Sequence, residues 1–216
     1  VLGPGRDAAA VGDGKASMAL EDRRIRRTKE ALRRAFVALV LERGYTPVTV
    51  EDIVAAADIG RATFYTHFKD KEALYDHVVD DILEGLRARL APIDRQDAGF
   101  TGVPVMELFR HASEEPDAYR LILRGQGDGR GLRRLTEEWA ETAYQIFFAR
   151  TEAQRVRPRV DLRVVSRAWA GEQAAVLLWW LEAPQPRPSL EQVVATLVDL
   201  SRRGRQWAMG FAAPPV

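Results

Sequence analysis

Along this chain apolar residues recur at intervals of three and four, and nowhere after residue 50 do they alternate as they would in a strand. Over residues 22–43, Ile25, Leu32, Phe36, Leu39 and Val40 form one stripe of a helix, and Gly44 ends it. Pro47 lies in the loop that follows. Thr49 opens a short helix with Asp52 at capping-box spacing and Ile53, Val54 and Ala57 on its apolar face. Asp58-Ile59-Gly60 interrupts the pattern, and a second short helix follows over residues 61–68. Phe64 and Phe68, four apart, turn inward there with Ile59. Asp70 caps a long helix whose core stripe is Leu74, Val78, Ile82 and Leu86, ending before Pro92.

A loop is expected over residues 92–102, then a helix opened by Pro104 with Val105, Leu108, Phe109 and Ala112 inward. Glu115-Pro116 breaks it, and Tyr119, Leu121, Ile122 and Leu123 belong to the next turns. The glycine-rich run 125–131 follows a helical pattern and lacks the Gly-Lys-Ser/Thr ending of a phosphate loop, so it reads as a surface loop. Helices over 132–153 and 162–183 come next, stopped by Pro184, Pro186 and Pro188. Ser189 caps a last helix with Leu190, Val193, Val194, Leu197 and Leu200 on one side. The chain is expected to be all-α, without internal repeats. Residues 1–20 lack this periodicity and are expected to form a disordered tail, with Met18 a candidate true start.

Composition changes this picture little. The 216 residues are 46% hydrophobic and 29% charged, a soluble globular balance with ample material for a core. The absence of cysteine excludes disulfides, thiolate metal sites and cysteine nucleophiles. No apolar run reaches the roughly 18 residues of a membrane span, and residues 1–20 lack the core of a signal peptide, so a cytoplasmic protein is expected.

Charge is informative only through its distribution, because the net value is +1. Arg23, Arg24, Arg26, Arg27, Lys29, Arg33 and Arg34 crowd the first long helix. From Ile59 to Lys69 there is no acidic residue. That segment instead offers Arg61, Thr63, Tyr65, Thr66, His67 and Lys69 as hydrogen-bond donors. A cationic, hydroxyl-rich helix behind a tight turn suits a DNA major groove lined with phosphates. Arg61 can reach a guanine edge or a phosphate. Arg26 and Arg27 suit an arm along the backbone. Thr49 presents a helix N-terminus to a phosphate.

The run TPVTVEDIVAAADIGRATFYTHFKDKEALY, with the helix before it, resembles the TetR family of bacterial transcriptional regulators. The resemblance covers about the first third of the chain. Ala57-Asp58-Ile59-Gly60 stands where the family has Ala-Gly-Val-Ser; Asp tolerates the left-handed backbone better than most residues, and Gly60 is an acceptable cap without a hydroxyl. The resemblance implies a DNA-binding face made of Arg26, Arg27, Thr49, Arg61, Ala62, Thr63, Tyr65, Thr66, His67 and Lys71. Within it Tyr65, His67 and Lys71 hold phosphates. It divides the chain into a helix-turn-helix domain at 21–69 and a helical ligand-binding and dimerisation domain at 70–216.

In the second domain Phe109, Tyr119, Trp139, Tyr144, Phe147, Trp169 and Trp180 are candidates to line an apolar effector pocket, with Gln173 and Glu172 as polar handles. Ala168, Gly171 and Ala175 form a line of small residues that permits close helix approach, so the last two long helices are the candidates for a homodimer interface. The implied function is a ligand-responsive regulator, a repressor binding a palindromic operator as a homodimer and released by a small molecule. The alternative is a TetR-like adaptor acting through protein contacts without DNA. No cofactor, metal or membrane partner is implied. His67, His77 and His111 form no catalytic spacing, and no enzyme is expected.

Overall fold

A computed structural model describes residues 8–93, 102–205 and 209–211, with side chains from residue 21 onward. Among the described residues there are nine α-helices and no strand, so the chain is all-α. It divides into two compact units, one up to Leu74 and one from Tyr75 onward. The loop expected at 92–102 falls mostly on residues 94–101, outside the described residues.

The first unit begins with α1, Ala8–Arg43. The tail expected at residues 1–20 is therefore helical from Ala8 onward, while residues 1–7 lie outside the described residues. The reason is local: Ala, Lys, Met and Leu dominate residues 8–20, and their intrinsic propensity favours a helix without any apolar stripe. Farther along, Leu32, Phe36, Val37 and Val40 are buried. Gly44 turns the chain with φ 82°, its N–H bonded to the Val40 carbonyl at 2.8 Å.

Helix α2, Val50–Ala57, starts from the expected capping box. The Asp52 N–H donates to the Thr49 hydroxyl oxygen at 3.2 Å, and the Thr49 N–H donates to the Asp52 carboxylate at 2.9 Å. The Thr49 side-chain and backbone hydrogen bonds, in that order, hold the Asp52 carboxyl below its usual pKa. This contribution to stability is therefore present above the ordinary carboxylate range and lost as pH falls through the lowered value. Thr49→Ala should cost about 1 kcal/mol in urea unfolding of the first unit. An unchanged midpoint would show that water caps the helix equally well.

Asp58 ends α2 in the left-handed region at φ 53°, ψ 46°, its N–H bonded toward the Ala55 and Val54 carbonyls. Helix α3, Arg61–His67, follows with Gly60 as an N-cap that supplies no side-chain bond. Its inner side is Phe64, with Phe68 just beyond, the rings 5.9 Å apart; Phe64 and Ile53 of α2 are both fully buried.

Helix α4, Lys71–Leu90, starts in the first unit and continues into the second. Asp70 caps it by accepting the Ala73 N–H at 2.7 Å. Beyond it lie α5, Val103–Glu114, and α6, Pro116–Leu123, separated at Glu115 as the Glu-Pro pair predicts. Then come α7, Arg130–Ala153; α8, Leu162–Glu182; and α9, Leu190–Leu200, opened by a Ser189–Gln192 capping box. A π-helical turn, Ser201–Arg205, extends α9. Helices α7 and α8 pack along each other, with Ala143 and Phe147 against Leu162, Val165 and Met209. The start of α7 lies close to the first part of the second unit. A side chain on Gly131 would put its Cβ 2.1 Å from the Tyr75 hydroxyl, which donates to the Gln126 carbonyl. Only glycine fits there.

Candidate nucleic-acid interface and an apolar cavity

The outward side of α3 carries Arg61, Ala62, Thr63, Tyr65 and Thr66, all exposed, while Phe64 is sealed beneath them. Tyr65 is 47% exposed, unusual for a ring with apolar edges to hide. His67, in the last turn, is part-buried. The face has its own internal order. Arg61 pairs with Glu51 on α2 at 2.6 Å, and its guanidinium lies 5.7 Å from the Tyr65 ring centre. Its hydrogen bond to Tyr65 and then the Glu51 charge raise the Arg61 pKa further. Thr66 donates its hydroxyl proton to the Ala62 carbonyl at 3.0 Å, leaving the oxygen lone pairs outward. Arg26 and Arg27 are exposed on α1.

Two of the residues assigned to phosphates are engaged within the unit. The Thr49 hydroxyl serves the capping box and donates to Asp52 at 2.6 Å. The Lys71 ammonium donates to three backbone carbonyls, of Tyr45 at 3.0 Å, Thr46 at 3.3 Å and Val48 at 2.8 Å. It also sits 4.4 Å from the Tyr45 ring centre. An ammonium has three protons, and here three acceptors take them. Lys71 thus clamps the α1–α2 connection. Sequence spacing put it near α3 but could not show carbonyls converging on it.

The second unit encloses a cavity of about 440 Å³. Leu83, Leu86 and Leu90 of α4, Val105 and Leu108 of α5, Trp139, Ile146 and Phe147 of α7, Trp169 of α8 and Val198 of α9 line it. The polar part of the wall is Arg87, Glu138, Thr142, Ser201 and Arg202. Arg87 and Glu138 form a two-pronged ion pair, so their charges cancel at the wall. Glu172 holds the π-helical turn by pairing with Arg205, which also bonds the Ser201 hydroxyl. Glu172 is thus engaged in holding the turn that carries Ser201 and Arg202.

Among the expected effector residues, Trp139 and Trp169 line the cavity, as does Phe147. Phe109, Tyr119, Tyr144 and Gln173 do not. Phe109 is core, packed on Trp180 with ring centres 5.7 Å apart. Tyr119 is core too, its hydroxyl 3.0 Å from His111 Nδ1, and burial drives its pKa far up. Tyr144 stacks on Phe148 at the surface side of α7. Sequence reasoning favoured aromatics because they stand out, and missed the leucines of α4, which look like any core stripe.

Gln173 is 0% exposed, and neither its amide nitrogen nor its oxygen has a hydrogen-bond partner. The Trp139 indole nitrogen is likewise sealed without one. Each such orphan costs about 1–3 kcal/mol relative to a paired group.

One long side of α8 faces outward. Val164, Ala168, Gly171, Ala175 and Trp179 are spaced by four, three, four and four residues along it, and all are exposed. Val164 is 65% and Trp179 54% exposed, and among the described residues no atom beyond its own turns of helix lies within 4 Å of where a Gly171 Cβ would be.

The sequence model for bacterial regulatory proteins of the tetR family matches residues 28–78, from within α1 to the first turns of α4. The chain is 39% identical over 51 residues to the HTH-type transcriptional repressor DhaR of a Mycobacterium, covering 24% of this chain and 26% of that protein. It is 32% identical over 115 residues to the HTH-type transcriptional regulator TcmR of Streptomyces glaucescens, covering 51% of this chain and 43% of that one. The chain thus spans less than half the length of the curated relatives it matches. The crystal structure of a TetR-family regulator from Syntrophomonas wolfei superposes with a TM-score of 0.67 at 14% identity, over 88% of this chain and 99% of that one. That likeness carries the fold into the second unit, where sequence identity has faded. Over residues 28–78 the chain thus resembles the TetR family of bacterial regulatory proteins, and it shares its fold with TetR-family structures.

Proposed function

We propose that the chain is a one-component transcription regulator, a repressor that binds a palindromic operator as a cytoplasmic homodimer and is released by a small molecule. The observation that carries this reading is the outer face of α3: Arg61, Thr63, Tyr65 and Thr66 exposed, with no acid on the helix and Phe64 anchoring it from behind. Such a face offers base edges and phosphates donors at a depth a major groove accepts. Arg26, Arg27 and His67 would add backbone contacts. The outward side of α8 would meet its copy across a twofold axis, which matches the symmetry of a palindrome.

The cavity of the second unit would take the effector, and α4 is the element common to both sites. It lines the cavity through Leu83 and Leu86 and begins at Lys71. An effector acts only if it binds the DNA-incompetent state more tightly than the competent one.

The test is binding of the purified protein to DNA upstream of its own gene at several salt concentrations. Tight, salt-sensitive binding to one palindromic segment is expected. Binding no better than to random duplex, with none found by genome-wide selection, would favour the adaptor role instead. Within that assay Arg61→Ala should lose about 1–3 kcal/mol of operator affinity. Its pair with Glu51 joins two exposed side chains, so little folding stability depends on it and the guanidinium is easily shared with DNA. An equal loss on random duplex would assign Arg61 to a phosphate.

A further inference from the structure

The outward side of α3 carries cations and hydroxyls, yet a carboxylate reaches it from the neighbouring helix. Glu51, in the first turn of α2, lies 2.6 Å from Arg61 Nη1, a contact that bridges α2 to the first residue of α3. On its other side the Arg61 guanidinium lies 5.7 Å from the ring centre of Tyr65, one helical turn on, and bonds to its hydroxyl. Arg61 is therefore held between an acid and a ring. Folding does not account for the acid. Both side chains of the ion pair are more than half exposed, and such pairs contribute little to stability. Nor does α2 need Glu51 for its cap. The other acid of that turn, Asp52, forms the capping box with Thr49.

What Glu51 changes is the kind of acceptor that Arg61 can serve. An arginine alone suits both a phosphate and a guanine edge, since each presents two acceptors to its fork. Beside a carboxylate the two differ. Glu51 offsets the Arg61 charge and stands next to any group that the guanidinium touches. A phosphate there meets a like charge, and little net neutralisation is gained. Guanine O6 and N7 carry no net charge, so they accept from the guanidinium without that repulsion. A guanidinium has five N–H donors, so contacts to Glu51 and Tyr65 leave donors for a two-pronged contact.

We propose that Glu51 makes Arg61 a reader of guanine: the pair turns a general anion-binding side chain into one that selects a guanine edge in each operator half-site. Glu51 is thus a positioning and specificity-determining residue that acts through Arg61. The inference rests on the outer face of α3 being the DNA-binding face, and it names the base that face selects.

The test is selection of bound sequences from a pool of random duplexes by the full chain. The selected site, the same site with its guanine replaced, and random duplex are then titrated. Wild-type protein should prefer guanine at one position of each half-site by about tenfold or more, and Arg61→Ala should erase that preference. Glu51→Gln keeps the side chain's shape and leaves the Thr49–Asp52 box in place, so the variant should stay folded. It should lower the guanine preference to about threefold or less and bind random duplex about threefold more tightly at low salt. Those two effects run in opposite directions, which a loss of helix support could not produce. In the Arg61→Ala background Glu51→Gln should leave the base preference at that position unchanged. A guanine preference as strong in Glu51→Gln as in wild type would overturn the proposal, as would equal losses on selected and random duplex. So would a selected site whose Arg61-dependent position is not guanine. Each of these results leaves operator binding itself in place. Wild-type protein that selects no sequence over random duplex would remove the DNA-binding reading, and this inference with it.

Discussion

In the homodimer proposed above, Gly171→Arg is expected to leave a folded monomer. Within the subunit a Cβ at 171 has room, since no atom of the described residues beyond its own turns of helix lies within 4 Å of it. Arginine is also the better helix former, by roughly 0.7–1 kcal/mol in a helix interior. The helix content and solubility should therefore survive. Between subunits the effect reverses. In the proposed dimer Ala168, Gly171 and Ala175 would let two copies of α8 approach closely, and one arginine from each copy would place two cations and two long stems in that contact. Sedimentation should show monomer at micromolar concentration. Operator affinity should fall about 100-fold or more, because two half-sites lose their shared effective concentration. Gly171→Ala, which adds a single methyl, should stay dimeric. A Gly171→Arg protein that remains dimeric would move the interface away from this face of α8.

The outward line of small residues on α8 was legible in the sequence in a way that the cavity was not. Small residues at helical spacing on an otherwise apolar helix are a pattern of composition, and composition needs no coordinates. The same holds for the first unit. The Thr49–Asp52 spacing became a capping box, Asp58 took the left-handed turn, and Phe64 and Phe68 went inward. Each depends on residues within a few positions of one another. The cavity depends instead on which helices meet. Leu83 and Trp139 are far apart in sequence, and nothing in either stripe shows that a void lies between them rather than a neighbour. Phe109 and Tyr119 failed as pocket residues for the same reason, since a core aromatic and a lining aromatic have the same local pattern. Helix over residues 8–20 was missed because periodicity reports burial, whereas a helix favoured by alanine-rich propensity needs none.

Lys71→Met is expected to destabilise the first unit by about 3–4 kcal/mol in denaturant unfolding. The side chain keeps its length and loses its three donors. The carbonyls of Tyr45, Thr46 and Val48 then lose a charge-assisted bond each, and such bonds are worth roughly 1.5–3 kcal/mol when sheltered. The Thr46 bond is solvent-exposed, so water replaces it cheaply; the other two are part-buried and set the magnitude. The Tyr45 ring also loses its cation, although its hydroxyl keeps the bond to Glu72 at 3.0 Å. The DNA readout separates this clamp from a phosphate contact. At a temperature where the variant is folded, a clamp leaves the slope of log affinity against log salt unchanged, because no counterion-releasing contact is lost. A slope smaller by about one would mean that Lys71 surrenders a carbonyl to hold a phosphate. Its place at the first turn of α4 would then make the exchange part of DNA binding, since the connection between α1 and α2, on which α3 follows, would loosen as the phosphate was gained.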